Sequence, residues 1–409
     1  MSLMMAGLKW TQIVLRNSKN MQLKNPKKIK QGFILAFGEL FLKSDGVQKI
    51  LKKRLVNNLT NSLKRRGVNF KVYLWRERVF IETNDFKGTA LVLKRVFGFV
   101  WFARAFFLEK TTFKDFNNFV KENYEDWIKE NQSFSLRVKK DSLIEQRTIE
   151  IIDQVAKNIK RKVNLNKPQK QIFIEGRKQG WFLYFKKQAG AGGLPIGSQG
   201  QTLTLISGGI DSSVAAYLMA KRGAENIWIH FHSFPLVSQA SIEKIRETAK
   251  VFLDYQPKLK IYFVPFAEIQ KKIKISILAK YRVLFYRKIM LEIAQIIAQE
   301  QGYQALVTGE SLGQVSSQTL PNFQLTQKKI TMPIFRPLIG LDKEEIINLA
   351  KEIKTFDISI KPQEDCCTLF IPKGQTAAGR LEVMQKLEKA LKIKNLILKT
   401  IKEIQVESF

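Results

Sequence analysis

Residues 203–213 read LTLISGGIDSS, and the folding of this stretch decides the architecture around it. Leu203 to Ile206 has the apolar, β-branched character of a buried strand, and a helical pattern runs from Ser212 to Arg222. The turn between them carries two glycines, so backbone N–H groups and a helix N-terminus converge on one spot that suits an anion. Gly208 and Gly209 let the main chain approach phosphate oxygens closely. Ser207, Ser212 and Ser213 offer hydroxyl donors, and the Asp211 carboxylate offers a ligand for a magnesium ion bridging those oxygens. The Gly-Lys-Ser/Thr ending of a Walker A loop is missing. A Gly-rich turn ahead of a capped helix needs no ligand at all, yet an SGGxDS string arises by chance in only roughly one chain in a few thousand at average residue usage.

Working outward from this turn, strands IWIHF (227–231), KIYFVPF (260–266) and ALVTG (305–309) alternate with helices over 242–252 and 283–301. Repeated βαβ units predict an α/β fold in the C-terminal half, a doubly wound parallel sheet with helices on both faces, binding ligands at the carboxyl ends of its strands. Upstream, KKQAGAGGLPIGSQGQ (186–201) is rich in glycine without hydrophobic period, which marks a domain boundary or mobile loop, a linker over 187–201. Before it, strand-like FILAF (33–37), FKVYLW (70–75), RVFIET (78–83), FSLRVK (134–139), IFIEG (172–176) and WFLYF (181–185) interleave with helices over 47–66, 87–97, 113–129 and 143–161. Two small α+β domains account for that pattern, one over 31–88 and one over 89–186. Residues 1–30 contain no acidic residue and include KNPKKIK. They read as a disordered basic extension, with a targeting presequence or a start at Met21 as alternatives.

The formal charge is +33, and its distribution is uneven. Residues 1–200 carry 40 Lys/Arg against 16 Asp/Glu, whereas residues 201–409 carry 29 against 20. A basic front half releases counterions from a polyphosphate backbone on binding, so nucleic acid is the expected partner; a merely solubilising surface is the alternative. The two cysteines are neighbours, Cys366 and Cys367, and the only histidines are His230 and His232. That inventory excludes a disulfide framework and a four-cysteine metal or cluster site. No stretch approaches the ~20 apolar residues of a membrane-spanning helix, so a cytoplasmic protein without membrane attachment is expected.

SGGIDS resembles the signature of PP-loop ATP pyrophosphatases, and TGESLGQVSSQTL (308–320) resembles the signature of tRNA 4-thiouridine synthetases within that group. EDCCTLFIP (364–372), IHFHSFP (229–235) and FYRKIMLEIA (285–294) resemble the same family, and FGELFLKSDG (37–46) its ferredoxin-like N-terminal motif; the region from about 90 to 186 is similar to a THUMP RNA-binding domain. The resemblance spans about residues 31–375 and implies an ATP- and Mg2+-dependent tRNA sulfurtransferase that adenylates a uridine and exchanges its carbonyl oxygen for sulfur. It implies a PP-loop domain over 202–380, with Leu205 and Ile206 beside the loop, His230 and Phe231 at the adenine end, and Arg287, Gly309 and Gln318 completing the nucleotide pocket. Asp211 would hold the metal and Cys366 or Cys367 the sulfur. From the residues alone, His230 and His232 read as strand-end packing and Arg287 as a solvated helix face; for the cysteine pair, buried packing is the alternative that the Pro- and charge-bearing loop around it disfavours.

Many relatives have proline at the position of Ser213, a helix N-terminal site where the change should be harmless. Lys361 and Lys373 favour a thiolate at Cys366, whereas Glu364 and Asp365 oppose one. After Pro372 only residues 373–409 remain, read as a Lys-rich helical tail over 381–409, too short for the rhodanese-like domain of some members. A separate donor, a cysteine desulfurase, is therefore expected, and the resemblance also implies a homodimer. Rival readings are another PP-loop enzyme modifying a different tRNA position, and a catalytically idle tRNA-binding protein.

Overall fold

The computed structural model describes residues 29–362 and 374–409. The described residues divide into two compact units: one gathers residues 29–36, 69–86 and 102–188, the other residues 37–68, 87–101, 189–362 and 374–409.

In chain order the front half runs β1 (Ile29–Phe37), α1 (Asp45–Arg65), β2 (Lys71–Leu74), β3 (Arg78–Glu82), α2 (Phe86–Leu93), β4 (Phe99–Glu109), α3 (Phe113–Trp127), β5 (Phe134–Lys140), α4 (Thr148–Lys157), β6 (Lys170–Arg177), β7 (Gly180–Tyr184) and β8 (Gln188–Ala189). Its strands form one sheet in the order β2-β3-β1-β4-β7-β6-β5, with β8 pairing onto β4. Period-two alternation sorts its side chains. Leu136, Ile172, Ile174 and Leu183 face the apolar sides of α3 and α4, where Phe116, Val120, Ile151 and Val155 are fully buried. Helix α3 starts at a reciprocal capping box between Thr112 and Asp115, which satisfies two otherwise orphaned N–H groups. Buried Glu175 accepts from Arg78, Arg177 and the Tyr184 hydroxyl. Burial alone raises a carboxyl pKa, but the two guanidinium groups outweigh it and hold Glu175 below its usual range.

The second unit carries β9 (Gln201–Leu205), α5 (Ile210–Lys221), β10 (Glu225–His232), α6 (Ala240–Phe252), β11 (Lys260–Pro265), α7 (Ala267–Ser276), α8 (Arg282–Gln301), β12 (Ala305–Val307), α9 (Leu320–Thr326), β13 (Ile334–Phe335), α10 (Lys343–Glu352), α11 (Phe356–Ser359), α12 (Leu381–Leu391), α13 (Lys394–Lys402) and β14 (Gln405–Ser408). The sheet order is β13-β12-β9-β10-β11-β14. Every pairing from β13 to β11 is parallel, while β14 joins the edge antiparallel. Ile227, Ile229 and Phe231 of β10 point into a core shared with α7 and α8. Trp228 points into the opposite core, shared with α5, α6 and α10. Helices therefore cover both faces, as the βαβ pattern predicts. The segment 381–409, expected as a helical tail, is two helices and an edge strand.

The Gly-rich stretch, read as a linker or mobile loop, lies at the division between the units but is closely packed from Gly190 onward. Gly190 N donates to Val100 O, Gly192 N to Phe99 O and Leu194 N to Lys221 O, at 2.9 to 3.0 Å. Leu194 and Ile196 are buried, and α1 reaches over with Asn58 and Arg54 to the carbonyls of Ile196 and Gly197. Glycine here serves close approach: a Cβ on Gly193 would lie 2.0 Å from Lys221 O. Low hydrophobic periodicity signals small residues under contact as readily as a loose chain.

Candidate active site

In the second unit, β10 and β11 extend to one side of β9, and the chain returns to its other side for β12. The turn after β9 and the turn after β12 thus flank a topological switch point, where a parallel sheet opens a crevice. Ser207 to Gly209 form the first turn. Gly208 has φ +80°, and Gly209 is the N-cap of α5. Gly209 N donates to Ser207 Oγ at 3.2 Å, and Ser207 N to Ser212 Oγ at 3.2 Å. The turn is locked by its own serines before any ligand arrives.

Gly309, on the second turn, explains the closeness of the two. A Cβ there would lie 2.7 Å from Ser212 N and 2.8 Å from the Asp211 carbonyl carbon, so only glycine lets this backbone rest on the first turn of α5. Beside it, Asp211 is gripped from two directions. Lys343 Nζ, at the start of α10, lies 2.5 Å from Oδ1, and Gln314 Nε2 donates to Oδ2 at 2.8 Å. The carboxylate is one-fifth exposed, accessible but held. Gln314 Oε1 is buried with no hydrogen-bond partner among the described residues.

A second polar centre sits on the same turn. Buried Glu310 accepts from Thr308 Oγ1 at 2.8 Å and from Arg336 Nε at 2.6 Å, and it pairs with Arg287 of α8. Arg287 Nη1 also donates to Ser317 Oγ at 2.9 Å, so this arginine is mostly buried, not part of a solvated face. Gln318 Oε1 accepts from Ser311 N at 3.3 Å, bracing the loop that carries Gln314.

The remaining candidates are placed less directly. Ser213 does not bond the turn after β9: its hydroxyl bonds Ile210 O at 2.9 Å and Thr355 Oγ1 at 3.1 Å. His230 is buried, with Nδ1 2.7 Å from Ile206 O and Nε2 3.3 Å from Ser241 Oγ. A carbonyl only accepts, so Nδ1 carries the proton and the Ser241 hydroxyl donates to Nε2. Burial pushes the pKa of His230 and of His232 down to about 4. The ring of His230 is thus a neutral strut on the carbonyl of Ile206, the residue before the turn after β9. Phe231 lies in the core edge-to-face against Phe266, centroids 5.4 Å apart; Ile206 is buried and Leu205 half-buried beside the turn. Cys366 and Cys367 lie outside the described residues. Sequence reasoning missed Lys343, Gln314, Glu310 and Arg336. Glu310 and Gln314 stood inside a quoted motif, whereas Lys343 in LDKEE carries no local signal.

Residues 197–393 match the family described as thiamine biosynthesis protein (ThiI), and residues 33–103 match the ThiI ferredoxin-like domain. A probable tRNA sulfurtransferase of Alkaliphilus metalliredigens is 36% identical over 383 residues, covering 91% of this chain and 97% of the relative. The chain belongs to the ThiI family of tRNA sulfurtransferases. The probable tRNA sulfurtransferase of Thermus thermophilus is 47% identical over 227 residues, 56% of each chain. Among solved structures, a 4-thiouridine synthetase in complex with RNA and bound ATP superposes with a TM-score of 0.83 at 29% identity, covering 93% of this chain and 100% of that one. The expected fold class holds: a ferredoxin-like N-terminal region and a ThiI-type PP-loop domain. Within this ThiI-family chain, the PP-loop motif is the turn after β9, where Gln314 and Lys343 bond Asp211; Glu310 follows Gly309 on the adjacent turn.

Proposed function

We propose that this chain is an ATP-dependent tRNA uridine 4-sulfurtransferase: the PP-loop domain adenylates the uridine carbonyl oxygen, and persulfide sulfur then replaces it. The observation that carries this reading is the grip of Lys343 and Gln314 on Asp211 at the mouth of the PP-loop. A uridine oxygen is a poor leaving group, and its transfer onto the α-phosphorus of ATP, with pyrophosphate departing, turns it into one that leaves as AMP. Negative charge grows on the departing pyrophosphate. The backbone N–H groups of the PP-loop, the α5 N-terminus and the Lys343 ammonium are suited to stabilise that charge. The likeness to a 4-thiouridine synthetase bound to RNA and ATP supports both substrates.

Magnesium fits the donors present. The Asp211 carboxylate and Gln314 Oε1, which has no hydrogen-bond partner among the described residues, are hard oxygens, the ligand type that ion selects. When bound, it would supply further charge neutralisation on the polyphosphate. Lys343 would then exchange its contact with Asp211 for one with phosphate.

For the second step, the terminal sulfur of a persulfide on Cys366 or Cys367 attacks the activated C4 and AMP leaves. Cleavage of the remaining S–S bond takes two electrons from the neighbouring thiol, leaving a disulfide for a thiol reductant to reopen. A persulfide anion is nucleophilic near neutral pH, where a thiol of pKa ~8.5 is mostly protonated. The sulfur comes from a cysteine desulfurase acting as a separate partner, and the basic front half grips the folded tRNA through its phosphates.

The test combines the protein with ATP, magnesium, a desulfurase with cysteine, and unmodified tRNA, and identifies thionucleosides by mass. 4-Thiouridine is expected. A thionucleoside of another kind points to a different PP-loop modification, and tRNA binding without pyrophosphate release to an idle binding protein.

A further inference from the structure

Of the polar groups around the PP-loop, Glu310 is the one whose surroundings the reaction itself does not explain. It is 5% exposed and sits three residues beyond β12, at the carboxyl edge of the sheet. Three donors from three parts of the fold converge on it: Thr308 Oγ1 from its own turn, Arg336 Nε from the end of β13, and the Arg287 guanidinium from α8. Each arginine is anchored a second time, Arg287 on Ser317 Oγ and Arg336 on Gln327 Oε1 at 3.0 Å. The Arg336 guanidinium also lies 4.7 Å from the centre of the Phe323 ring. One carboxylate between two guanidinium groups leaves a surplus positive charge at the edge where the nucleotide reading places an anion. Such a fixed pair is worth more to an incoming phosphate than two free arginines, because little side-chain entropy remains to be lost.

We infer that Glu310 is a positioning residue, holding Arg287 between α8 and the turn after β12 in the orientation from which its guanidinium meets the phosphates of the nucleotide. The inference rests on the proposed ATP site and on the expectation that Arg287 completes its nucleotide pocket. It differs from a plain electrostatic role in the sign of its consequence. Glu310 is an anion beside a polyanion's site, so its charge alone opposes binding and its removal would tighten it. As a positioning group its removal loosens Arg287 and weakens binding despite the more favourable charge.

The experiment is a double-mutant cycle of Glu310→Gln and Arg287→Gln in the full chain, read as equilibrium ATP affinity and as tRNA-dependent ATP–pyrophosphate exchange. Glu310→Gln is expected to lower exchange on the order of 100-fold, the cost of a misplaced contact, and to weaken ATP binding. In the Arg287→Gln background the same change is expected to cost less than about threefold, since coupled residues are non-additive. Glu310→Asp keeps the charge, withdraws it by one methylene and is expected to lie between the two. It serves as the readout if the neutral variant does not fold, with the same coupling to Arg287. Tighter ATP binding by Glu310→Gln, or additive losses in the cycle, would overturn the inference. Absence of exchange in the wild-type protein would instead refute the functional reading, and this inference with it.

Discussion

Asp211 is held by two side chains, one on each carboxylate oxygen, and neither is near it in sequence. The lysine that grips it lies 132 residues downstream at the start of α10. With its ammonium directed at the PP-loop carboxylate, Lys343→Met should lower ATP–pyrophosphate exchange by on the order of 10²-fold, the scale of losing one preorganised charge donor. Lys343→Arg should recover part of that loss. The neighbouring histidines give a pH prediction. Both are buried with pKa lowered from 6.5 to about 4, so the unfolded chain binds more protons than the folded one between those values. Their contribution is full above about pH 6.5 and is lost as pH falls toward 4. The melting temperature should drop across that window, and His230→Asn should flatten the drop by removing one of the titrating groups. An unchanged pH slope in that variant would contradict the burial argument. Asp211 was legible because the strand-turn-helix around SGGIDS announces an anion cradle. Lys343 was not, because only the tertiary fold brings LDKEE to it.

The elements that build the site are the ones a period-two or period-3.6 pattern reveals. β9, β10, β11, β12 and α8 are continuous apolar or amphipathic runs, and each is readable in the sequence. β13 and β14 are not: one has two residues, and the other, Gln405–Ser408, is a mostly exposed edge strand without an apolar run. The Gly-rich stretch from Gly190 to Gly200 was legible as a boundary but not as a packed strap, since composition does not separate glycine placed for mobility from glycine placed for contact. Two substitutions test the contact reading. Gly309→Ala pushes a methyl into the backbone at Asp211 and Ser212, and should destabilise by roughly 1–3 kcal/mol, the usual penalty of overpacking, while lowering exchange. Gly193→Ala, at φ +68° and facing Lys221 O, should lower the melting temperature without changing ATP affinity. A Gly193→Ala protein as stable as the wild type would show the strap to be looser than its hydrogen bonds indicate.

At the scale of the molecule, charge and chemistry are divided along the chain. The first 200 residues hold a surplus of 24 positive charges, 40 against 16, and the remaining 209 a surplus of 9, 29 against 20. Among the described residues no helix is long and apolar enough to cross a membrane, and belonging to the ThiI family gives the basic surplus a polyphosphate to meet. Affinity for tRNA should fall steeply with salt, by about 10³-fold between 50 and 200 mM if some six phosphates are contacted, as titrations at several ionic strengths would register. In the mechanism proposed above, one crevice, between the turns after β9 and β12, uses Asp211 and its partners to adenylate tRNA, while a cysteine performs a separate, later step. The most direct measurement is tRNA-dependent ATP–pyrophosphate exchange and 4-thiouridine formation, run in parallel on the wild type, Asp211→Ala and Cys366→Ser. The result predicted is loss of both activities in the aspartate variant and loss of thiolation alone in the cysteine variant. Exchange at wild-type rate without Asp211, or thiolation without Cys366, would contradict it.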